Sequence, residues 1–187
     1  MIQPQNITEY YINTFINPGD CVIDATAGNG FDTLKLCRAV GEDGKVYAFD
    51  IQECALDATG KKLEENGFSN AKLVKASHSE IDKYVKENVK AVVFNLGYLP
   101  GGDHSLQTKA GTTIEAIKKS LEILSDTGFV SVTVYYGKNS GSEEKILLWN
   151  ILKILTIKNI RCLCTIFITD RIILRLRLLL QKIHNQI

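Results

Sequence analysis

Apolar runs and segments of helical spacing alternate along most of the chain. Residues 8–16 place their apolar side chains at helical spacing and predict a short opening helix. Asn17-Pro18-Gly19-Asp20 is a turn, and residues 21–25 read as a buried strand. Residues 31–40 are helical and stop at Gly41-Glu42-Asp43-Gly44, and 46–49 form a second strand ending at Asp50. A helix over 53–66 closes at Gly67, which suits the left-handed cap position. A third strand (71–75), a short helix (79–85) and a fourth strand (91–94, ending at Asn95) follow. After a glycine-rich loop to about residue 109, the pattern predicts a helix over 112–124 and an alternating, β-branched strand over 129–136. A helix over 143–155 and a sixth strand over 160–169 complete the regular elements.

Strands separated by helices of ten or more residues pair in parallel through right-handed crossovers. The expected fold class is therefore α/β, an open, doubly wound and mostly parallel sheet. The length of 187 residues suits one domain. Residues 1–145 form its body, and 146–187 are a divergent continuation of the same domain.

Charge adds a contrast between these parts. Residues 1–145 hold 15 Lys and Arg against 20 Asp and Glu, whereas 146–187 hold 7 against 1, the acid being Asp170. Net charge over the whole chain is +1, so there is no overall signature of nucleic-acid binding. The five cysteines show no C-x-x-C spacing. They read as thiols of a reducing cytoplasm, and the pattern argues against a metal site. The N-terminus lacks the regions of a signal peptide, and charged residues interrupt every apolar run before it reaches membrane-spanning length, so no membrane partner is expected.

The chemistry concentrates in Asp24-Ala25-Thr26-Ala27-Gly28-Asn29-Gly30-Phe31-Asp32-Thr33, between the first strand and the first crossover helix. Gly28 and Gly30 allow the backbone to approach a ligand closely. Asp50, twenty residues beyond Gly30, is placed to accept both hydroxyls of a ribose. A dinucleotide site wants a third glycine where Thr33 stands, and a carboxylate at Asp32 opposes a pyrophosphate. Asp24 and Asp32 suit a ligand bearing an ammonium and a sulfonium, which points to S-adenosyl-L-methionine rather than NAD. The alternative is a glycine turn without a ligand.

These residues also carry a resemblance. The decapeptide above, F-D-I-Q at 49–52, A-S-H at 76–78 and N-L-G-Y-L-P-G-G-D-H-S at 95–105 resemble a small family of class I, Rossmann-like methyltransferases labelled putative rRNA methylases. The similarity runs from about residue 11 to 145. The family includes a methyltransferase for the aminomethyl group of 5-aminomethyl-2-thiouridine at the tRNA wobble position. The resemblance implies cofactor contacts from Asn29, Asp32, Asp50, Gln52, Ser77 and His78, beside Asp24, Gly28 and Gly30. Taken alone, His78 reads as a solvent-facing loop residue. The resemblance also implies tRNA as partner, with another RNA or a small molecule as the alternative substrate.

Asn95 ends the fourth strand, where many amine methyltransferases carry N-P-P-Y or D-P-P-Y. Here Asn95 and Tyr98 keep the spacing and both prolines are absent. Asn95 is the expected acceptor for the target amine, Tyr98 the ring that stacks on the base, and His104 beside Asp103 a proton relay. Tyr98, Pro100, Asp103 and His104 are the expected substrate contacts. From composition alone, 101–105 is a surface loop and Tyr98 a core aromatic. Tyr135 and Tyr136 either line the substrate mouth or pack the sheet.

Three departures stand out. Some relatives carry Ser-His where this chain has Thr8-Glu9. The resemblance fades from about residue 146, and the family's Pro-Pro turn is missing. An out-of-frame tail would explain this, leaving a fold-retaining inactive protein with an exposed edge open to a homodimer or to nothing. In the other reading, 162–168 and 172–180 still form the closing hairpin, as the alternation Leu174-Arg175-Leu176-Arg177-Leu178 suits.

Overall fold

A computed structural model describes residues 4–96, 109–135, 161–169 and 173–181. Within them run α1 (Pro4–Phe15), β1 (Cys21–Asp24), α2 (Phe31–Val40), β2 (Lys45–Asp50), α3 (Glu53–Glu65), β3 (Ala71–Lys75) and, after a 3-10 turn at His78–Glu80, α4 (Ile81–Tyr84). β4 (Val89–Leu96), α5 (Ala110–Ile123), β5 (Leu124–Tyr135), β6 (Arg161–Thr169) and β7 (Ile173–Gln181) follow. The described strands form one seven-stranded sheet in the order β3-β2-β1-β4-β5-β7-β6. The first five are parallel, and β7 runs antiparallel to both β5 and β6. This is the doubly wound α/β sheet that the alternating pattern predicts.

Side-chain alternation along the central strands sends residues to two cores, one on each face. Val22, Val46, Ala91 and Val93 pack with Ile12, Leu36, Val40 and Leu63, beneath α1, α2 and α3. Their neighbours Ile23, Tyr47, Val92 and Phe94 pack with Ile81, Ala116, Ile117 and Leu121, beneath α4 and α5. Both faces of these strands are buried, which explains why β1 and β4 read as near-continuous apolar runs rather than alternating ones.

Several boundaries differ from the pattern. The first helix opens at Pro4, four residues early. β4 continues through Asn95 and Leu96 because these pair with Thr133 and Val134 of β5. The helix expected over 79–85 is a 3-10 turn followed by a separate turn of α-helix, and the Ser77 hydroxyl caps the first by accepting from the Ser79 amide at 3.2 Å. β5 starts at Leu124, and its ladder with β4 is irregular between Val89 and Ala91, so residues 125–128 lie outside the pairing that resumes at Phe129.

In the tail, Arg161 to Thr169 pair residue by residue with Gln181 to Ile173, and β7 joins the hairpin to β5. The two segments expected to form a closing hairpin thus pair with each other. The helix expected over 143–155 lies outside the described residues. Among the described residues, no helix is long and apolar enough to cross a membrane.

Candidate functional site

The sheet order reverses between β1 and β4. From β1 the chain moves to β2 and β3 on one side, and from β4 to β5 on the other. Crossovers leaving in opposite directions open a crevice at the carboxyl ends of the two strands. The segment from Asp24 to Thr33 lines that crevice.

Its turn is stitched to both neighbouring strands. The Ala25 amide donates to the Val93 carbonyl of β4 at 2.8 Å, and the Ala27 amide to the Phe49 carbonyl of β2 at 2.9 Å. Gly28 and Gly30 are both left-handed, with φ of 54° and 76°. At Gly30 the need for glycine is double, because a Cβ there would also stand 2.9 Å from the Thr59 backbone of α3. Thr59 in turn donates its hydroxyl to the Gly28 carbonyl at 3.1 Å. The turn is thus held open toward the crevice by helix and strands together.

Asp50 ends β2 with one amide on each oxygen. Gly28 N–H donates to Oδ2 at 2.9 Å and Gln52 N–H to Oδ1 at 3.0 Å. A carboxylate oxygen takes more than one hydrogen bond, so both keep capacity for a pair of hydroxyls. Asn29 lies in the turn between the two glycines, and Gln52 occupies the N-cap position of α3 without a side-chain capping bond. Ile51, between Asp50 and Gln52, is half exposed. This apolar surface beside Asp50 was not singled out from sequence.

Asp24 is fully buried, accepting from the Thr26 amide at 3.1 Å and the Thr33 hydroxyl at 2.6 Å. Burial first, and then the nearby Asp32 charge, push its carboxyl up to about 7. Thr33, read from sequence as the place of a missing glycine, is a buried hydroxyl partner of that acid.

Asn95 faces the same turn from β4. Its backbone amide donates to Thr26 Oγ1 at 2.7 Å, and its side-chain amide donates to Asp32 Oδ2 at 2.5 Å. Lys35, one turn along α2, donates to Asp32 Oδ1 at 3.1 Å and lies 3.8 Å from Glu9 of α1. Neither Lys35 nor Glu9 was predicted as part of the site, since only folding links them to Asp32 and through it to Asn95.

Ser77 follows β3 and caps the 3-10 turn, its hydroxyl 2.9 Å from that of Ser79. His78 is not solvent-facing. It is 8% exposed, meets Phe94 edge-on at 5.8 Å, and lies 3.5 Å from the Thr113 hydroxyl of α5. Burial lowers its pKa, opposed by a hydrogen bond to the Ala25 carbonyl. A neutral imidazole thus ties the end of β1 to α5, directly behind the turn. Tyr98, Pro100, Asp103, His104 and Tyr136 lie outside the described residues.

The donor set tests what the crevice can hold. Asp24, Asp32 and Asp50 give it negative potential, and the left-handed glycines leave room for a close approach. Asp50 retains acceptor capacity for hydroxyls, and Ile51 is apolar. These features fit a ligand with a ribose, a flat base and positive charge, as S-adenosylmethionine has.

The comparisons agree. The sequence profile of a family described as putative rRNA methylase matches residues 46–178. A chloroplastic tRNA (mnm(5)s(2)U34)-methyltransferase of Arabidopsis thaliana is 44% identical over 140 residues, 69% of this chain and 51% of that protein. The chain thus spans about half the length of that curated relative. The crystal structure of a putative rRNA-methylase from Clostridium thermocellum superimposes with a TM-score of 0.92 at 41% identity, covering 98% of this chain and 99% of that one. For a putative methyltransferase from Streptococcus mutans in complex with SAH, the TM-score is 0.83 at 35% identity, with 96% and 99% covered.

Proposed function

Since this chain belongs to the putative rRNA methylase family of S-adenosylmethionine-dependent methyltransferases, we propose that it N-methylates RNA, namely the aminomethyl group of 5-aminomethyl-2-thiouridine at the tRNA wobble position. The reading rests on one observation above the others. A carboxamide, Asn95, stands at the end of β4 where the sheet order reverses, and its amide nitrogen is engaged by Asp32. Its oxygen is then the end that meets a substrate. The similarity to the plant enzyme supports the substrate. The cytoplasm is the proposed compartment, in keeping with the free thiols Cys21, Cys37 and Cys54 among the described residues.

Asp50 holds the ribose in this reading, the glycine turn admits the amino-acid portion, and Ile51 with Ser77 borders the base. When bound, S-adenosylmethionine supplies an electrophilic methyl group on a positively charged sulfur. The protein's own work is orientation. The Asn95 oxygen accepts an N–H of the neutral amine and turns its lone pair toward the methyl group, and holding such alignment is a large part of catalysis. An aminomethyl group arrives largely protonated, and desolvation in the crevice favours its neutral form. Tyr98 stacks on the uridine and His104, beside Asp103, passes the departing proton outward.

Labelled methyl transfer into tRNA carrying 5-aminomethyl-2-thiouridine tests the proposal. Label at the wobble nucleoside is expected. Label in ribosomal RNA or a small molecule, with none in this tRNA, overturns it.

A further inference from the structure

An asparagine is ambiguous to its surroundings, because its oxygen and nitrogen ends are alike in shape and opposite in hydrogen bonding. A catalytic asparagine that flips offers the incoming amine a donor instead of an acceptor. Something must fix which end faces the substrate, and the protein supplies it. A carboxylate accepts hydrogen bonds and donates none. Asp32 Oδ2 at 2.5 Å from Asn95 Nδ2 therefore admits only one amide orientation.

Asp32 is itself held. Lys35 donates to its other oxygen at 3.1 Å, and the same ammonium lies 3.8 Å from Glu9. Asp32 is in the first turn of α2, where the helix dipole favours a negative charge. The backbone of Asn95 is pinned independently by Thr26 Oγ1 at 2.7 Å. Backbone and side chain are fixed by two residues of the same glycine-turn segment, 69 and 63 positions away in sequence respectively.

We infer that Asp32 is a positioning residue that acts through Asn95, locking its carboxamide oxygen toward the substrate amine. Lys35 and Glu9 form the outer links of the same chain, from α1 through α2 to β4. This inference rests on the proposed amine chemistry for its kinetic consequences, and on geometry alone for the orientation of the amide.

The test exploits that division. In the intact protein, the side-chain amide resonance of Asn95 is assigned by its loss in Asn95→Ala. Asp32→Ala should shift that resonance toward the position of a solvated amide, and this readout needs no activity. An unmoved resonance in a folded variant overturns the inference. The kinetic arm uses a polarity swap. Asn95→Asp opposes two carboxylates and should lower kcat about 100-fold, the cost of a misplaced reacting group. Combining it with Asp32→Asn restores one amide donating to one carboxylate, with the charges exchanged and their sum unchanged. The double variant should recover at least about tenfold of the lost kcat, with cofactor affinity, measured by calorimetric titration, close to that of the unaltered protein. A double variant that binds the cofactor normally yet is no faster than Asn95→Asp alone overturns the inference. If the unaltered protein methylates no aminomethyl-uridine tRNA while the Asn95 resonance responds to Asp32, the substrate reading fails and the positioning role stands.

Discussion

Carboxylates stand at both ends of the sheet, Glu87 at one and three aspartates at the other, and their electrostatic states are opposite. At the amino ends of the strands, Glu87 accepts from the Lys45 ammonium at 2.8 Å and from the Tyr47 hydroxyl at 2.9 Å. Lys72 and Lys45 each lie 5.6 Å from the Tyr47 ring centre. The Lys45 hydrogen bond, ahead of that from Tyr47, draws the Glu87 carboxyl down to about 2. At the carboxyl ends, Asp24, Asp32 and Asp50 crowd around one turn, and burial beside Asp32 drives Asp24 up to about 7. The amino-end acid is satisfied within the chain. At the carboxyl ends Lys35 answers Asp32, whereas Asp24 and Asp50 accept from neutral amides and a hydroxyl, an arrangement that would suit a cationic ligand. An acid whose cation is supplied in the fold belongs to architecture, and one left short of a cation beside a crevice belongs to binding.

Substitutions at the two ends should therefore separate affinity from stability. The largest effect is expected for Asp50→Ala, which should weaken S-adenosylmethionine by about 1–3 kcal/mol through loss of charged hydrogen bonds to the ribose. Calorimetric titration measures it, and an unchanged dissociation constant would remove Asp50 from the site.

Asp24→Asn comes next, and its sign depends on pH. The folded-state pKa of Asp24 is raised above its ordinary value of 3.8, so the unfolded chain releases this proton first. The protein loses stability as pH climbs from about 4 to about 7, and the loss is complete above that. Asparagine avoids the buried charge but leaves one amide hydrogen without a partner. The variant should be more stable than the parent by about 1–2 kcal/mol at pH 8, and no more stable at pH 5. Thermal melts of the ligand-free protein at the two pH values check this, and a pH-independent difference would contradict it.

Glu87→Gln should change least. Its pKa is lowered, so its contribution is present above about 4.5 and fades as pH falls toward 2. The pair is largely exposed, and a loss of about 0–1 kcal/mol in stability at pH 7 is expected. Cofactor affinity should not move; a Glu87 variant that binds S-adenosylmethionine poorly would erase the distinction between the two ends.

Local pattern made some of this legible. Asp24, Gly28, Gly30 and Asp50 stand at strand ends and in turns, where composition and spacing report directly on geometry. The Asp32–Asn95 bond escaped the sequence reading because a separation of 63 residues leaves no trace in either local pattern. Thr33 escaped for a different reason. Judged as a missing glycine, it was weighed for its backbone and not for its hydroxyl. The Glu87 cluster joins the starts of β1 and β2 to the segment before β4, and no periodicity encodes such a meeting. The start of β5 was missed because the bulge opposite Lys90 breaks the alternation on which strand recognition depends.

The sutures on the glycine turn have a kinetic meaning. Ala25 and Ala27 tie it to β4 and β2, and Thr59 fastens it from α3. Its shape is settled when the sheet forms, so the ordering entropy is met during folding and little remains to be met on ligand arrival. A receptor cast in advance captures by encounter rather than by rearrangement. The rate of capture should then follow diffusion and charge, and the lifetime of the complex should carry most of the selectivity between the sulfonium cofactor and its neutral, demethylated product.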